Sequence, residues 1–449
     1  MLGGNTVAAN DVSTRTIRRI QKRIIPLLFL LYIVAFLDRI NIGFAALTMN
    51  ADLGITSAQF GLVTGIFFWG YFLFEIPSNL FLHRIGARIW IARILISWGI
   101  IAMLTGAAHS VPQLCAARFL LGVAEAGFFP GIVLYLTYWF RRREQAQVIA
   151  LFMAAVPVSN ILGAPISGFI LDHAHWLGLS SWRWLLILEG LPAVTLGICT
   201  YFLLPSRPAE AKFLTPDEKG WIASEIAREE RDKASEHAHS PWHGLSHLRV
   251  WHLASIAFTF QIAQYALFFF MPQAVRALSG VNSNTVTGIL VMVPYLAGLL
   301  GLIAVARSSD RRMERRYHVA IPAAVGGIFL MLLGATNAAF PSIALWSLAA
   351  MGMLGMISPF WSLPNEFLTG VSAASGIALV TSIGSLGGFV GPSIMGSVAK
   401  GSGGFYRGFA VAGVSLLVSA TLAVFLPRKS IGHHPPPDEH SSSLQPDAL

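Results

Sequence analysis

Charge is what this sequence has least of. Lysine, arginine, aspartate and glutamate together make up 12% of the 449 residues, about half the share usual in soluble domains. A water-exposed surface cannot be built from so few charges, which excludes a soluble enzyme. Cysteine is almost absent too. Cys115 and Cys199 are the only two, and both sit in apolar runs, which excludes a disulfide framework and a thiolate zinc site. What fills the chain instead is apolar: 55% of it is hydrophobic and mean hydropathy is +0.63. It reads as a polytopic membrane protein.

A helix needs about 20 predominantly apolar residues to cross the bilayer. Twelve such runs lie near 24–46, 59–82, 90–108, 111–138, 146–171, 184–204, 251–273, 285–306, 319–338, 342–362, 374–398 and 405–426. The first is no cleaved signal peptide, because it carries Asp38 and Arg39 and outruns an apolar signal region. With twelve spans the two termini share a side. That side holds 25 of the 31 lysines and arginines, against four in the opposite loops, Arg183, Arg276, Lys400 and Arg407. Basic residues stay cytoplasmic, so both termini are expected inside. The net charge of +9 is then a topology signal, and no nucleic-acid partner is needed to explain it.

The longest polar stretch divides the spans six and six. The expected organisation is a cytoplasmic segment 1–23, a six-helix bundle 24–204, a central loop 205–250, a second bundle 251–426 and a tail 427–449. Pro435-Pro436-Pro437 and Ser441-Ser442-Ser443 mark that tail as disordered. In the loop, Thr215-Pro216-Asp217-Glu218 has the form of a capping box with a first-turn proline. An amphipathic helix should follow to Lys233, with Trp221, Ile222 and Ile226 on its apolar side. His239, His243 and His247 recur every four residues, but no carboxylate or cysteine completes a set there. No metal and no cofactor is expected. The two halves also echo each other: basic turns follow span 2 (Arg84, Arg88) and span 8 (Asp310, Arg311), as in transporters built from repeats.

A charge at the membrane centre costs roughly 2.5–3.5 kcal/mol on insertion scales, and such residues default to function. Away from the span ends, where Arg93 and Arg407 stand, the spans hold Asp38, Arg39, Glu75, Arg118, Glu125 and, near an edge, Glu189, all in the first half. Arg39 lies seven residues before the outer end of span 1 and Arg118 seven after the outer start of span 4, each about 10 Å deep. The two guanidiniums are expected to face one cavity at one level, where their forks would clamp a carboxylate. Asp38 is about 100° from Arg39 around the helix. It should turn toward a neighbouring helix, with Arg118 a candidate partner. Glu125 must find its partner on another helix or be neutral, and Glu125 and Asp38 are the candidate proton sites. Glu75, near the inner end of span 2, is expected to meet cytoplasmic arginines as part of a gate with Arg84, Arg88, Asp310 and Arg311. Gln261, Gln264 and Tyr265 follow i, i+3, i+4 spacing and form a polar stripe on span 7.

Three segments carry a resemblance: Asp38-Arg39-Ile40-Asn41-Ile42-Gly43, Arg118-Phe119-Leu120-Leu121-Gly122-Val123-Ala124-Glu125-Ala126 with Phe129-Pro130-Gly131, and Trp182-Arg183-Trp184 through Glu189-Gly190-Leu191-Pro192. Over residues 20–426 the chain resembles the major facilitator superfamily, and within it the anion:cation symporter family. The stretch Phe360-Trp361-Ser362-Leu363-Pro364-Asn365-Glu366-Phe367 is similar to its bacterial carriers for tartrate, aldonates and aromatic acids. The resemblance implies an all-α membrane protein of twelve transmembrane helices in two pseudo-symmetric six-helix bundles. It implies proton coupling at Asp38 and Glu125, and substrate contacts at Tyr71, Trp361, Ser382 and Ser385. His83 and the pair Thr381 and Ser385 depart from the pattern of many relatives. The expected function is a proton-coupled symporter, monomeric and not an enzyme, importing a small organic carboxylate across a bacterial inner membrane. An exchanger or uniporter of the same fold, and a membrane sensor that moves nothing, stay open as alternatives.

Overall fold

The computed structural model describes residues 3–236, 248–336, 338–364, 370–399 and 404–426, and their regular structure is helical throughout. The histidines at 239, 243 and 247 and the tail 427–449 lie outside the described residues. Twelve helices are long and apolar enough to cross a membrane: Val12–Asp52, Ser57–Leu82, Ala87–Thr105, Val111–Thr137, Gln147–His173, Ser181–Leu203, Leu248–Ser279, Asn284–Arg312, Arg316–Ala335, Ala339–Ser362, Gly376–Val398 and Gly404–Val424. We number them spans 1 to 12. Each overlaps a run read from the sequence. The largest difference is at the start of the chain, where span 1 belongs to one helix running from Gly3 to Asp52.

The packing is two-fold. Spans 1 and 5, 2 and 4, and 3 and 6 pair in the first half; spans 7 and 11, 8 and 10, and 9 and 12 pair in the second. Every partner is shifted by six, so the two bundles are copies of one arrangement. Their outer surfaces carry bare apolar side chains, Leu104, Leu300 and Ile321 each more than 60% exposed. Water would penalise such a surface, and lipid covers it.

Two glycines set the tightest seam. A Cβ at Gly70 on span 2 would collide with the Phe119 carbonyl, and one at Gly122 on span 4 with the Phe67 carbonyl. Backbone therefore meets backbone where these spans cross. Span 4 then breaks: its first helical segment ends at Glu125 and the next starts at Phe128, with Gly127 at φ +82° between them. That left-handed turn is open to glycine at no steric cost.

The end of the molecule that carries the N-terminus, here the proximal face, holds the central helix Pro216–Glu236. The capping box forms as the sequence implies, Thr215 N–H donating to Glu218 and Glu218 N–H to the Thr215 hydroxyl. Glu218 is fully buried and also pairs with Arg19 at 2.9 Å and Arg15 at 3.3 Å. Desolvation would push its carboxyl up, but the Thr215 N–H and Arg19 outweigh it and hold it below the ordinary glutamate range. Arg141, from the loop between spans 4 and 5, binds Glu225 and lies 4.8 Å over the Trp221 ring. The helix is thus tied to the first bundle, with Ile222 buried beneath it.

At the opposite, distal face the bundles are sealed to each other. Asp172, at the end of span 5, accepts five hydrogen bonds of 2.7–2.9 Å from Ser283, Asn284 and Thr285 at the start of span 8. A carboxylate there also meets the positive end of a helix dipole. Arg276 binds Asn284 and the Leu47 carbonyl, and Asn50 donates to Gln273. On the neighbouring seam Gly61 of span 2 abuts Pro392 of span 11. Below this seal lies a cavity.

Candidate functional site

The cavity sits between the bundles and measures about 120 Å³. Drug-sized ligands occupy pockets of roughly 300–1,000 Å³, so this one suits a small ion. Both halves line it. Span 1 contributes Arg39, span 2 Tyr71 and Glu75, span 7 Gln261, Gln264 and Tyr265, span 10 Trp361, and span 11 Ser385. Arg39 and Glu75 are the only charged side chains lining it among the described residues.

Register explains what Arg39 does. Because the helix runs on to Asp52, Arg39 lies thirteen residues from its distal end, about 20 Å along the axis and twice the depth expected from the sequence. Glu125 is fourteen residues from the distal start of span 4, at nearly the same depth. The two meet in an ion pair. Glu125 is also the last residue of its helical segment, where the dipole disfavours negative charge, and it is 2% exposed. A partner is obligatory there unless the acid is protonated. Arg39 reaches across the bundle boundary as well, donating to the Tyr265 hydroxyl at 3.3 Å. Phe36, Phe67 and Tyr71 rings surround it within 5.1–5.4 Å.

Arg118 does not complete a clamp. Seven residues into span 4, it is 1% exposed, lies against the same Phe67 ring at 5.0 Å, and does not line the cavity. Its Nε and one terminal nitrogen lack hydrogen-bond partners. The expectation of two arginines at one level is corrected by the longer first helix. Asp38 is corrected in its partner. It turns away from the cavity as geometry requires, but accepts from the Trp98 indole at 2.5 Å and the Asn41 amide at 2.9 Å, not from Arg118.

The expected proximal gate is not assembled either. Glu75 accepts from Ser382 of span 11 at 3.1 Å and sits with the cavity residues, away from the cytoplasmic arginines. Arg84 is exposed, Arg88 lies 5.7 Å over the Tyr201 ring, and Asp310 pairs with Arg315 at 2.6 Å, leaving Arg311 exposed. The reason is again register: Glu75 is seven residues, about 10 Å, inside the proximal end of span 2.

Two contributors escaped the sequence reading. Tyr32 lines the cavity, one heptad before Arg39 on the same helix face, a spacing that was there to be read. Asp172 was invisible as a contact, since nothing in span 5 points to span 8.

Residues 28–377 match the family description Major Facilitator Superfamily. The chain is 47% identical to a putative tartrate transporter of Agrobacterium vitis, over 93% of this chain and 96% of that one. It is 40% identical to the putative metabolite transport protein NicT of Pseudomonas putida, over 92% of this chain and 94% of that one. Its fold is similar to that of a bacterial homolog of the human lysosomal transporter Spinster, solved inward-facing and unoccupied. That likeness has a TM-score of 0.74 and 16% identity, covering 90% of this chain and 96% of that one. Twelve spans, two matching bundles and a small cavity between them with a few polar groups in an apolar lining agree with these relationships: the chain belongs to the Major Facilitator Superfamily and is a multi-pass membrane transporter.

Proposed function

We propose that the protein is a proton-coupled symporter that imports a small organic carboxylate, such as tartrate, an aldonate or an aromatic acid, across a bacterial inner membrane. The Arg39–Glu125 ion pair is the observation that carries this reading. Arg39 is the cavity's lining cation, and its fork suits a carboxylate. That fork is engaged by Glu125. A proton arriving on Glu125 frees Arg39 for the substrate anion; departure of both restores the pair. Proton and anion each take one member of the same ion pair, so the binding of either favours the binding of the other, which is thermodynamic coupling of the sign that symport requires. The relatives named as putative tartrate transporters support the choice of acid.

The test is accumulation in proteoliposomes. The parent protein should concentrate tartrate under an inward proton gradient. Glu125→Gln, which mimics the protonated acid, should still exchange tartrate between equal pools yet fail to concentrate it. Parent accumulation that ignores the gradient would replace the symporter with a uniporter or exchanger.

Orientation follows from the basic residues. The proximal face, with the N-terminus and the central helix, is cytoplasmic by their excess there. A reporter that works only outside the cytoplasm, fused after Lys233, should be silent; activity would invert the topology.

A further inference from the structure

The mechanism above gives no work to the cavity's second charged side chain. Glu75 is 4% exposed, lies one turn beyond Tyr71 on span 2, and lines the cavity with it. A carboxylate accepts through two oxygens at about four positions, and ionised it donates nothing. Here the Ser382 hydroxyl, 3.1 Å away, and the neighbouring Thr381 hydroxyl fill two of those positions, and the others stay open to the cavity. Neither Arg39 nor Arg118 pairs with it, since Arg39 is taken by Glu125 and Arg118 is packed outside the cavity. An anion carrier therefore exposes to its cargo a group that repels carboxylates and cannot bind apolar carbon. Buried acceptors are kept only where donors come to them. The cavity's other polar side chains, among them Gln261, Gln264, Thr381 and Ser385, are uncharged and able to bind hydroxyls too.

We infer that Glu75 is a specificity determinant: it accepts hydrogen bonds from hydroxyl groups of the cargo, while Arg39 holds a carboxylate, so that hydroxylated acids are chosen over their deoxy analogues. This rests on the carboxylate reading given above, and adds to it the chemical class of the rest of the substrate. A site that hydrogen-bonds a hydroxyl discriminates against the analogue lacking it, because its own polar group is then left unpaired.

Tartrate and succinate separate the possibilities, being four-carbon diacids of equal charge that differ by two hydroxyls. Calorimetric titration of the purified parent should show tartrate bound at least tenfold more tightly than succinate. In Glu75→Gln, which keeps one acceptor oxygen, the ratio should shrink; in Glu75→Met, which keeps none, it should fall to within about twofold. The loss should come from weaker tartrate binding, with succinate unchanged or improved. Thermal unfolding identifies any variant that fails to fold, and Glu75→Gln alone then carries the comparison. If Glu75 is merely a strut to Ser382, both acids will weaken by one common factor and Ser382→Ala will reproduce it, which overturns the inference. Equal binding of the two acids by the parent also overturns it, leaving Arg39 as the carboxylate site. Failure of the parent to bind either acid rejects the carboxylate reading itself, and this inference with it.

Discussion

Arg39→Lys is expected to weaken tartrate binding by tenfold or more without unfolding the protein. Lysine keeps the charge and loses the fork. Its three donors sit on one nitrogen and cannot present two parallel N–H groups to a carboxylate, as the guanidinium does. One charge-assisted hydrogen bond is worth about 1.5–3 kcal/mol, and about 1.4 kcal/mol is a tenfold change in affinity. Arg118→Lys is the control with the opposite expectation. Its guanidinium is packed against Phe67 outside the cavity, so thermal stability should change more than affinity. Calorimetry and a melting curve on both variants decide the matter. Loss of binding in Arg118→Lys with none in Arg39→Lys would return the anion to span 4.

Asp172→Asn should tip the protein toward opening at the distal face. The carboxylate accepts five bonds from the first residues of span 8. An amide of the same shape accepts at one atom only, and turns its own donors toward theirs. Losing even one bond to a charged group, at about 1.5–3 kcal/mol, shifts a two-state equilibrium by roughly tenfold or more. A cysteine at Ala46, buried on the distal half of span 1, reports the change in a background where Cys115 and Cys199 are replaced. Its labelling by a membrane-impermeant maleimide from the distal side should speed up by about that factor. Unchanged labelling would mean that the seal rests on apolar packing, at contacts such as Gly61 with Pro392.

Much of the architecture was legible because lipid imposes it. Apolar runs of fixed length announce helices, so all twelve spans could be read, and the capping box at Thr215 gave the start of the central helix to the residue. Side-chain partners were harder, for a reason that Arg39 illustrates. Its depth depends on where span 1 ends, and the apolar run fades near residue 46 while the helix continues to Asp52. Six residues are about 9 Å, enough to move Arg39 from the level expected for Arg118 to that of Glu125. Glu75 went astray similarly, because its distance from the basic turn at Arg84 in sequence conceals the helical rise between them. The stripe on span 7 was read from spacing alone, and the structure brings Gln261, Gln264 and Tyr265 to the cavity together. Cross-bundle contacts such as Asp172 with Ser283 leave no local pattern at all.

The crossing of spans 2 and 4 at Gly70 and Gly122 bears on how such a carrier could be retrained for a new cargo. With carbonyl oxygens occupying the place of any Cβ, even alanine is excluded at both positions unless the helices part. That seam holds Tyr71 at a fixed distance from Glu125, and through it Arg39. The Arg39 end of the site is therefore frozen, and a library that randomised it would return mostly dead clones. Thr381, Ser385 and Trp361 face the same cavity from the other half. Changes of substrate range in the laboratory should accumulate there, on the side of the cavity that the seam does not constrain.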